Sequence, residues 1–210
     1  MKNINLIEHP LAQDKLASLR SEETSSKEFR EYLEELSVLI AYEVFKDLKV
    51  KEEKIITPLS KTTGKKINEE INLFPILRAG QGFVSGFLNV VPKARVGHIG
   101  LYRDEKTLKP VQYLFKYPKN KNIEKTYNIL LDPIIATGGS IRAALKILEN
   151  INLKNIKVVA IISVKDTIEK LAKDYPNINF YLIAIDKKLD KKGYIIPGLG
   201  DAGDRIYGTK

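Results

Sequence analysis

The 210-residue chain has no cysteine and only two histidines. It can form no disulfide, perform no thiol chemistry and offer no cysteine to a metal. His9 and His98 lack metal-ligand spacing, and neither is assigned a role. No apolar run approaches the roughly 18 residues that a membrane-spanning helix needs. The opening "MKNINLIEHP" has no apolar core of the signal-peptide kind. A cytoplasmic protein with no membrane partner is expected. The chain shows no internal repeat and no linker, so residues 1–210 are expected to form a single domain.

What is present is globular in composition: 43% of the residues are hydrophobic and 29% charged. The formal net charge of +9 raises the possibility of a nucleic-acid partner. Against that, the lysines are scattered and accompany many Asn and Ile residues, a bias that often reflects genome composition. A phosphate-bearing small molecule would use the same positive field.

Periodicity organises the chain. Ser25-Ser26-Lys27-Glu28 reads as a capping box, and Phe29, Tyr32, Leu33, Leu36, Ile40 and Val44 follow at helical spacing. A long amphipathic helix is expected over 26–47, with a shorter one before it at 10–20. "KIITPLS" and "KKINEEI" flank Thr63-Gly64, a hairpin signal. Buried strands are expected at 71–77, 94–102, 127–132, 157–163 and 179–185, and helices at 81–89, 139–150 and 167–174. This alternation implies an α/β fold, a mainly parallel sheet flanked by helices. The stretch 103–126 reads as long and irregular, as a functional loop would. Tyr102, Tyr113 and Phe115 read as core or interface residues rather than stacking platforms.

The segment "LLDPIIATGGSIRAAL" at 130–145 carries the clearest chemistry. It begins as a buried strand and ends as a helix, with Asp132 and Gly138-Gly139 between. In an open α/β sheet, ligands bind outside the carboxyl ends of the strands. A helix N-terminus offers free N–H groups and a partial positive charge. The glycines admit a ligand close to the backbone, and Thr137 and Ser140 add hydroxyl donors. Asp132 would accept from paired hydroxyls. A phosphate cradle beside such an acceptor fits a ribose 5-phosphate. The segment lacks the Gly-Lys-Ser/Thr of triphosphate loops and the Gly-x-Gly-x-x-Gly of dinucleotide loops. The structural alternative, a tight turn with glycines for packing, leaves Asp132 unexplained.

This segment resembles the phosphoribosyl diphosphate (PRPP) motif of the type I phosphoribosyltransferases. Taken with "PILRAG" at 75–80, "GLYRDE" at 100–105 and "GYIIPGLGDAGDRIYGT" at 193–209, the chain resembles the uracil phosphoribosyltransferase family from end to end. The resemblance implies the type I fold, with N-terminal helices, a long flexible flap and a C-terminal base-binding loop. It implies transfer of phosphoribose from PRPP to uracil, giving UMP and diphosphate, in pyrimidine salvage.

The resemblance also assigns residues. Arg78, Arg103, Asp132 and Asp201 are the catalytic candidates. PRPP falls to Arg78, Arg103, Asp201 and the run Asp132, Pro133, Ile134, Ile135, Ala136, Thr137, Gly138, Gly139 and Ser140. Uracil falls to Ile195, Gly200, Asp201 and Ala202, on a stretch whose Pro and Gly content reads as loop rather than helix or strand. Mg²⁺ is the implied cofactor, bound mainly through PRPP and water, with Asp201 as the nearest protein carboxylate. GTP as an effector and a homodimer or higher homo-oligomer are also implied. The alternative is a protein of the same fold that binds RNA and regulates pyrimidine genes. Two departures stand out: many PRPP enzymes place a second acid where this chain has Pro133, and "SVKDTIEK" replaces an Ala/Pro/Glu/Gly turn found in relatives.

Overall fold

The computed structural model describes residues 1–104, 110–119 and 126–209; the side chain of Arg103 lies outside the described part. The chain opens with β1 (Ile4–Leu6), α1 (Pro10–Arg20) and α2 (Ser26–Val44). The capping box forms: the Ser25 hydroxyl accepts from the Glu28 N–H at 3.3 Å, and the Glu28 carboxylate accepts from the Ser25 N–H at 2.9 Å. Phe29, Leu33, Leu36, Ile40 and Val44 are buried along one face of α2. Each such side chain contributes about 1.5–3 kcal/mol, so packing rather than propensity holds this helix. His9 is the N-cap of α1, its Nδ1 accepting from the Leu11 N–H at 3.2 Å.

Next come β2 (Val50–Ile56) and β3 (Lys61–Ile67), an antiparallel ribbon. Its turn is not at Thr63-Gly64, as the sequence led us to expect. It is at Thr57–Ser60, where the Thr57 hydroxyl accepts from the N–H groups of Leu59 and Ser60. Pro58 and the Thr57 hydroxyl close that turn. Gly64 sits inside β3, opposite Glu53, where a Cβ would come within 3.0 Å of Ile55.

The remaining elements are β4 (Glu70–Leu77), a 3₁₀ turn (Ala79–Phe83), α3 (Val84–Val90), β5 (Arg95–Val96), β6 (His98–Arg103), β7 (Pro110–Lys116), β8 (Thr126–Leu131), β9 (Ile134–Ile135), α4 (Gly139–Asn150), β10 (Ile156–Val159), β11 (Ile162–Val164), α5 (Lys165–Asp174), β12 (Asn179–Leu182), β13 (Ala184–Asp186), β14 (Lys188–Leu189), β15 (Ile195–Ile196) and α6 (Ala202–Tyr207). The main sheet runs β1-β12-β10-β8-β4-β6-β7, with β5 also on β4. Every pairing in it is parallel except β6 with β7. Alternate strand residues face two cores. Leu73, Ile129 and Val159 pack with α1, α2 and α3, while Phe74, Leu130 and Val158 pack with α4 and α5.

Three expectations are corrected. The stretch 103–126 is not irregular throughout, because β7 pairs antiparallel with β6; residues 105–109 and 120–125 lie outside the described residues. Tyr102 and Tyr113 are about half exposed, at 52% and 55%, which removes the core half of the core-or-interface expectation and leaves the interface half. The C-terminal stretch is not wholly loop, since β15 and α6 lie within it.

One break in the sheet matters for function. The expected strands 157–163 and 179–185 are each split, into β10 and β11 and into β12 and β13. A second, three-stranded sheet, β13-β11-β9, begins where the first one stops. Pro133 lies at the break between β8 and β9. It has no N–H to continue the ladder, and its carbonyl instead accepts from the N–H groups of Ile161 and Ile162 at 2.9 and 3.3 Å.

Candidate active site

The small sheet leads into the expected cradle. After β9 the chain passes through Ala136, Thr137 and Gly138 into α4. Two side chains from the segment that departs from the family pattern hold this turn. Ser163 Oγ donates to the Ile135 carbonyl at 2.8 Å, and Thr167 Oγ1 donates to the Ala136 carbonyl at 2.7 Å. The departure at 163–170 therefore supports the loop.

The two glycines serve different ends. Gly138 is the N-cap of α4 with φ +78°, a conformation that favours glycine. A Cβ at Gly139 would meet only Thr137 Oγ1, at 3.7 Å, and would otherwise project into open space. No side chain caps α4, so its first N–H groups face the cavity in front of Gly139. That cavity, about 210 Å³, is lined by Asp132, Ile134, Ile135, Ala136, Thr137, Gly138, Gly139 and Ser140, with Leu101, Tyr102 and Pro110 across from them. Pro133, although part of the same run, is buried and does not line it.

A second cavity of about 410 Å³ adjoins the first. It is lined by all four residues assigned to the base, Ile195, Gly200, Asp201 and Ala202, together with Tyr194, Leu199 and Gly203. Asp132, Ile134, Ala136, Ser140 and Gly193 line both cavities. The two spaces thus share Asp132 in their common wall.

Asp132 is half-buried, and its N–H extends the main sheet by donating to the Val159 carbonyl at 3.1 Å. Burial pushes its carboxyl up to about 7; the Asp201 carboxylate adds to that rise, while the Ile134 N–H opposes it. Asp201 caps α6, its Oδ1 accepting from the Asp204 N–H at 3.0 Å. Arg78 stands at the rim, outside both linings. Its guanidinium is 3.3 Å from the Asp204 carboxylate and lies over the Tyr207 ring at 5.7 Å. Gly80 serves packing: a Cβ there would be 2.2 Å from the Leu131 carbonyl oxygen, one residue before Asp132. Arg103 ends β6, and its side chain lies outside the described residues.

Sequence reasoning missed several lining residues. Leu101, Tyr102, Gly193, Tyr194, Leu199 and Gly203 lie inside the quoted motifs and were within reach. Lys192 and Pro110 carried no signal. Among the described residues no group of three or more His, Asp or Glu side chains is placed to hold a metal. No helix there is long and apolar enough to cross a membrane.

The space in front of Gly139 yields a first prediction. Gly139→Val should weaken PRPP binding about tenfold or more by filling the cradle, and leave the melting temperature within a few degrees, since nothing else crowds that position. Calorimetric titration with PRPP and Mg²⁺ decides it; unchanged affinity would mean that this space does not receive the phosphate.

Comparison with known proteins places the chain in a family. The family described as Uracil phosphoribosyltransferase matches residues 6–209. A uracil phosphoribosyltransferase of Mycoplasma capricolum is 50% identical over 97% of this chain and 98% of its own length. One from Dictyoglomus turgidum is 51% identical, covering 98% and 99%. A solved protein of Aquifex aeolicus superposes with a TM-score of 0.90 at 37% identity, covering 99% of both chains. The RNA-binding alternative gains no support from these matches. Matched over nearly its whole length, this chain belongs to the uracil phosphoribosyltransferase family, and its α/β fold is that of the Aquifex protein.

Proposed function

We propose that the adjoining cavities hold the two halves of one nucleotide, and that residues 1–210 act as one catalytic unit joining them. The chain transfers the 5-phosphoribosyl group of PRPP to uracil, giving UMP and diphosphate. The observation that carries this reading is the presence of Asp132 in the common wall of the two cavities.

The 5-phosphate sits on the N–H groups at the start of α4, with Thr137 and Ser140 donating beside them. Asp132 accepts from the ribose 2- and 3-hydroxyls, which places C1 toward the second cavity. There the main chain of 195–202 presents hydrogen-bonding groups to the edge of a flat base. The C1–O bond to diphosphate breaks as the bond to uracil N1 forms, and the N1 proton passes to the departing diphosphate or through it to solvent. Positive charge builds on the sugar, so the departing diphosphate has to be neutralised. Arg78 and Arg103 suit this through their planar forks of donors. Arg78 would exchange Asp204 for the diphosphate, a modest cost for a pair more than half exposed on the arginine side. Asp201 is a hard oxygen donor suited to Mg²⁺, which would bind mainly through the diphosphate and water and stabilise the leaving group.

The resemblance also carries a GTP effector and a homo-oligomer to this chain. The β2–β3 ribbon supports the second, because Leu59 and Ile56 at its turn are 95% and 80% exposed. Light scattering at working concentration reads the oligomeric state, and rates with and without GTP read the effector. A cytoplasmic location fits an enzyme that draws on phosphorylated metabolites.

Labelled PRPP offered with a panel of bases tests the activity. Labelled UMP and diphosphate should form with uracil, and no labelled nucleotide with purines. Nucleotide formation from a purine in place of uracil would overturn the assignment. Arg103→Ala should lower kcat about tenfold or more and change the KM for PRPP less, because the diphosphate gains charge in the transition state. A rise in that KM alone would make Arg103 a ground-state binding residue.

A further inference from the structure

The base-facing segment is fastened from outside the cavity, by residues that no family motif quoted above contains. Asp186 ends β13 and is 8% exposed. Arg20, the last residue of α1, meets it in a two-pronged pair: Nη1 donates to Oδ2 at 2.8 Å and Nη2 to Oδ1 at 2.6 Å. The same pair holds both main-chain groups of Gly198. The Gly198 N–H donates to Asp186 Oδ2 at 3.0 Å, and its carbonyl accepts from Arg20 Nη1 at 2.7 Å. Gly198 stands between Ile195 and Gly200, two of the base-lining residues. It has φ +65°, and a Cβ there would fall 2.1 Å from the Ile195 carbonyl oxygen. Neither Arg20 nor Asp186 lines either of the two adjoining cavities.

The anchor point matters as much as the bonds. Asp186 is paired in register with Val164 of β11, and β11 pairs with β9, which leads into the phosphate cradle. One three-stranded sheet therefore fixes the cradle at one edge and the base loop at the other. A buried ion pair of this kind is a weak source of stability, because desolvation offsets the attraction. Its forked geometry fixes direction well. A loop that reads a base with main-chain groups needs such fixing, since peptide groups that drift by a fraction of an ångström lose their hydrogen bonds.

We propose that Arg20 and Asp186 are positioning residues that set base recognition, holding Gly198 so that the main chain of 195–202 keeps a fixed donor and acceptor pattern relative to the bound sugar. The proposal rests on the reading that this loop binds uracil. Asp186→Asn removes the charge and one prong of the pair while conserving shape. It should raise the KM for uracil about tenfold or more, narrow the preference for uracil over cytosine, and leave the KM for PRPP within about twofold. Arg20→Lys, which keeps the charge but loses the fork, should fall between Asp186→Asn and the parent protein. If Asp186→Asn does not fold, the double variant Arg20→Gln/Asp186→Asn leaves no unpaired charge and is measured in the same way, with the same expectation. A purely structural role would lower kcat for every base together, with the KM for uracil and the selectivity unchanged; that pattern would overturn the proposal. A parent protein that does not use uracil would overturn the functional reading instead, so the two failures are distinguishable.

Discussion

Asp132→Asn should lower turnover on the order of 10²-fold or more while the protein stays folded. Hydrogen bonds to a charged acceptor are worth ~1.5–3 kcal/mol each, and two ribose hydroxyls would lose theirs. The amide keeps the shape, and its single oxygen can still accept, but its NH₂ group faces a hydroxyl that must donate. Stability gives a control. Burial holds the Asp132 carboxyl at about 7, whereas an unfolded chain would release that proton near the ordinary ~3.9. Between those values the folded protein carries a proton that the unfolded one has lost. The stability contribution is therefore greatest at low pH and is lost as pH rises toward 7. The Asn variant lacks this loss, so its stability relative to the parent should climb across the same window by an amount on the order of a few kcal/mol. Hydroxyls that donate to the carboxylate favour its charged form, so kcat/KM for PRPP should rise with pH through about 7 in the parent. Near-normal turnover in a normally folded variant would remove Asp132 from the site.

Cytosine should be rejected by ~10⁴ or more relative to uracil. Uracil presents an acceptor at O4 and a donor at N3–H; cytosine presents a donor at position 4 and a bare acceptor at N3. A side-chain amide could rotate to suit either pattern. The main chain of 195–202 cannot, because Gly198 is fixed on both sides by Asp186 and Arg20, and Arg205 also accepts no freedom for the loop by donating to the Leu199 carbonyl at 3.1 Å. With cytosine two buried groups would each face a like partner, at ~1–3 kcal/mol apiece. 5-Fluorouracil keeps the uracil pattern and adds little bulk, so it should be used. Initial rates with the three bases at equal concentration and saturating PRPP decide this. Cytosine turnover within tenfold of uracil would show that the loop does not read the base through fixed peptide groups.

Local signals in the sequence carried far. The capping box at Ser25, the 3.6-residue spacing of α2 and the strand–Asp–Gly–Gly–helix order of 130–145 are each set by neighbours along the chain, and each was legible. The hairpin turn was misplaced because Gly64 looks like a turn residue. Its role is to leave room for Ile55 across the ribbon, which no local pattern shows. The break of the parallel strands was hidden for a related reason: "KVVAIIS" is a continuous apolar run, and its shift from one sheet to the next is visible only in the bonds of Ile161 and Ile162 to the Pro133 carbonyl, across the fold. The anchor of the base loop was the least legible feature. Arg20 and Asp186 lie 166 residues apart, and each alone reads as an ordinary surface charge. Among the catalytic candidates, Asp132 and Asp201 come together at the adjoining cavities, whereas Arg78 is drawn to Asp204, a partner that sequence spacing could not reveal.

A crystal structure with UMP bound tests the central claim most directly. The phosphate should lie on the N–H groups of 138–140, the ribose hydroxyls on the Asp132 carboxylate, and the uracil edge against the main chain of 195–202, with one nucleotide spanning both cavities. A nucleotide whose phosphate lies away from Gly139, or whose ribose does not touch Asp132, would contradict the account.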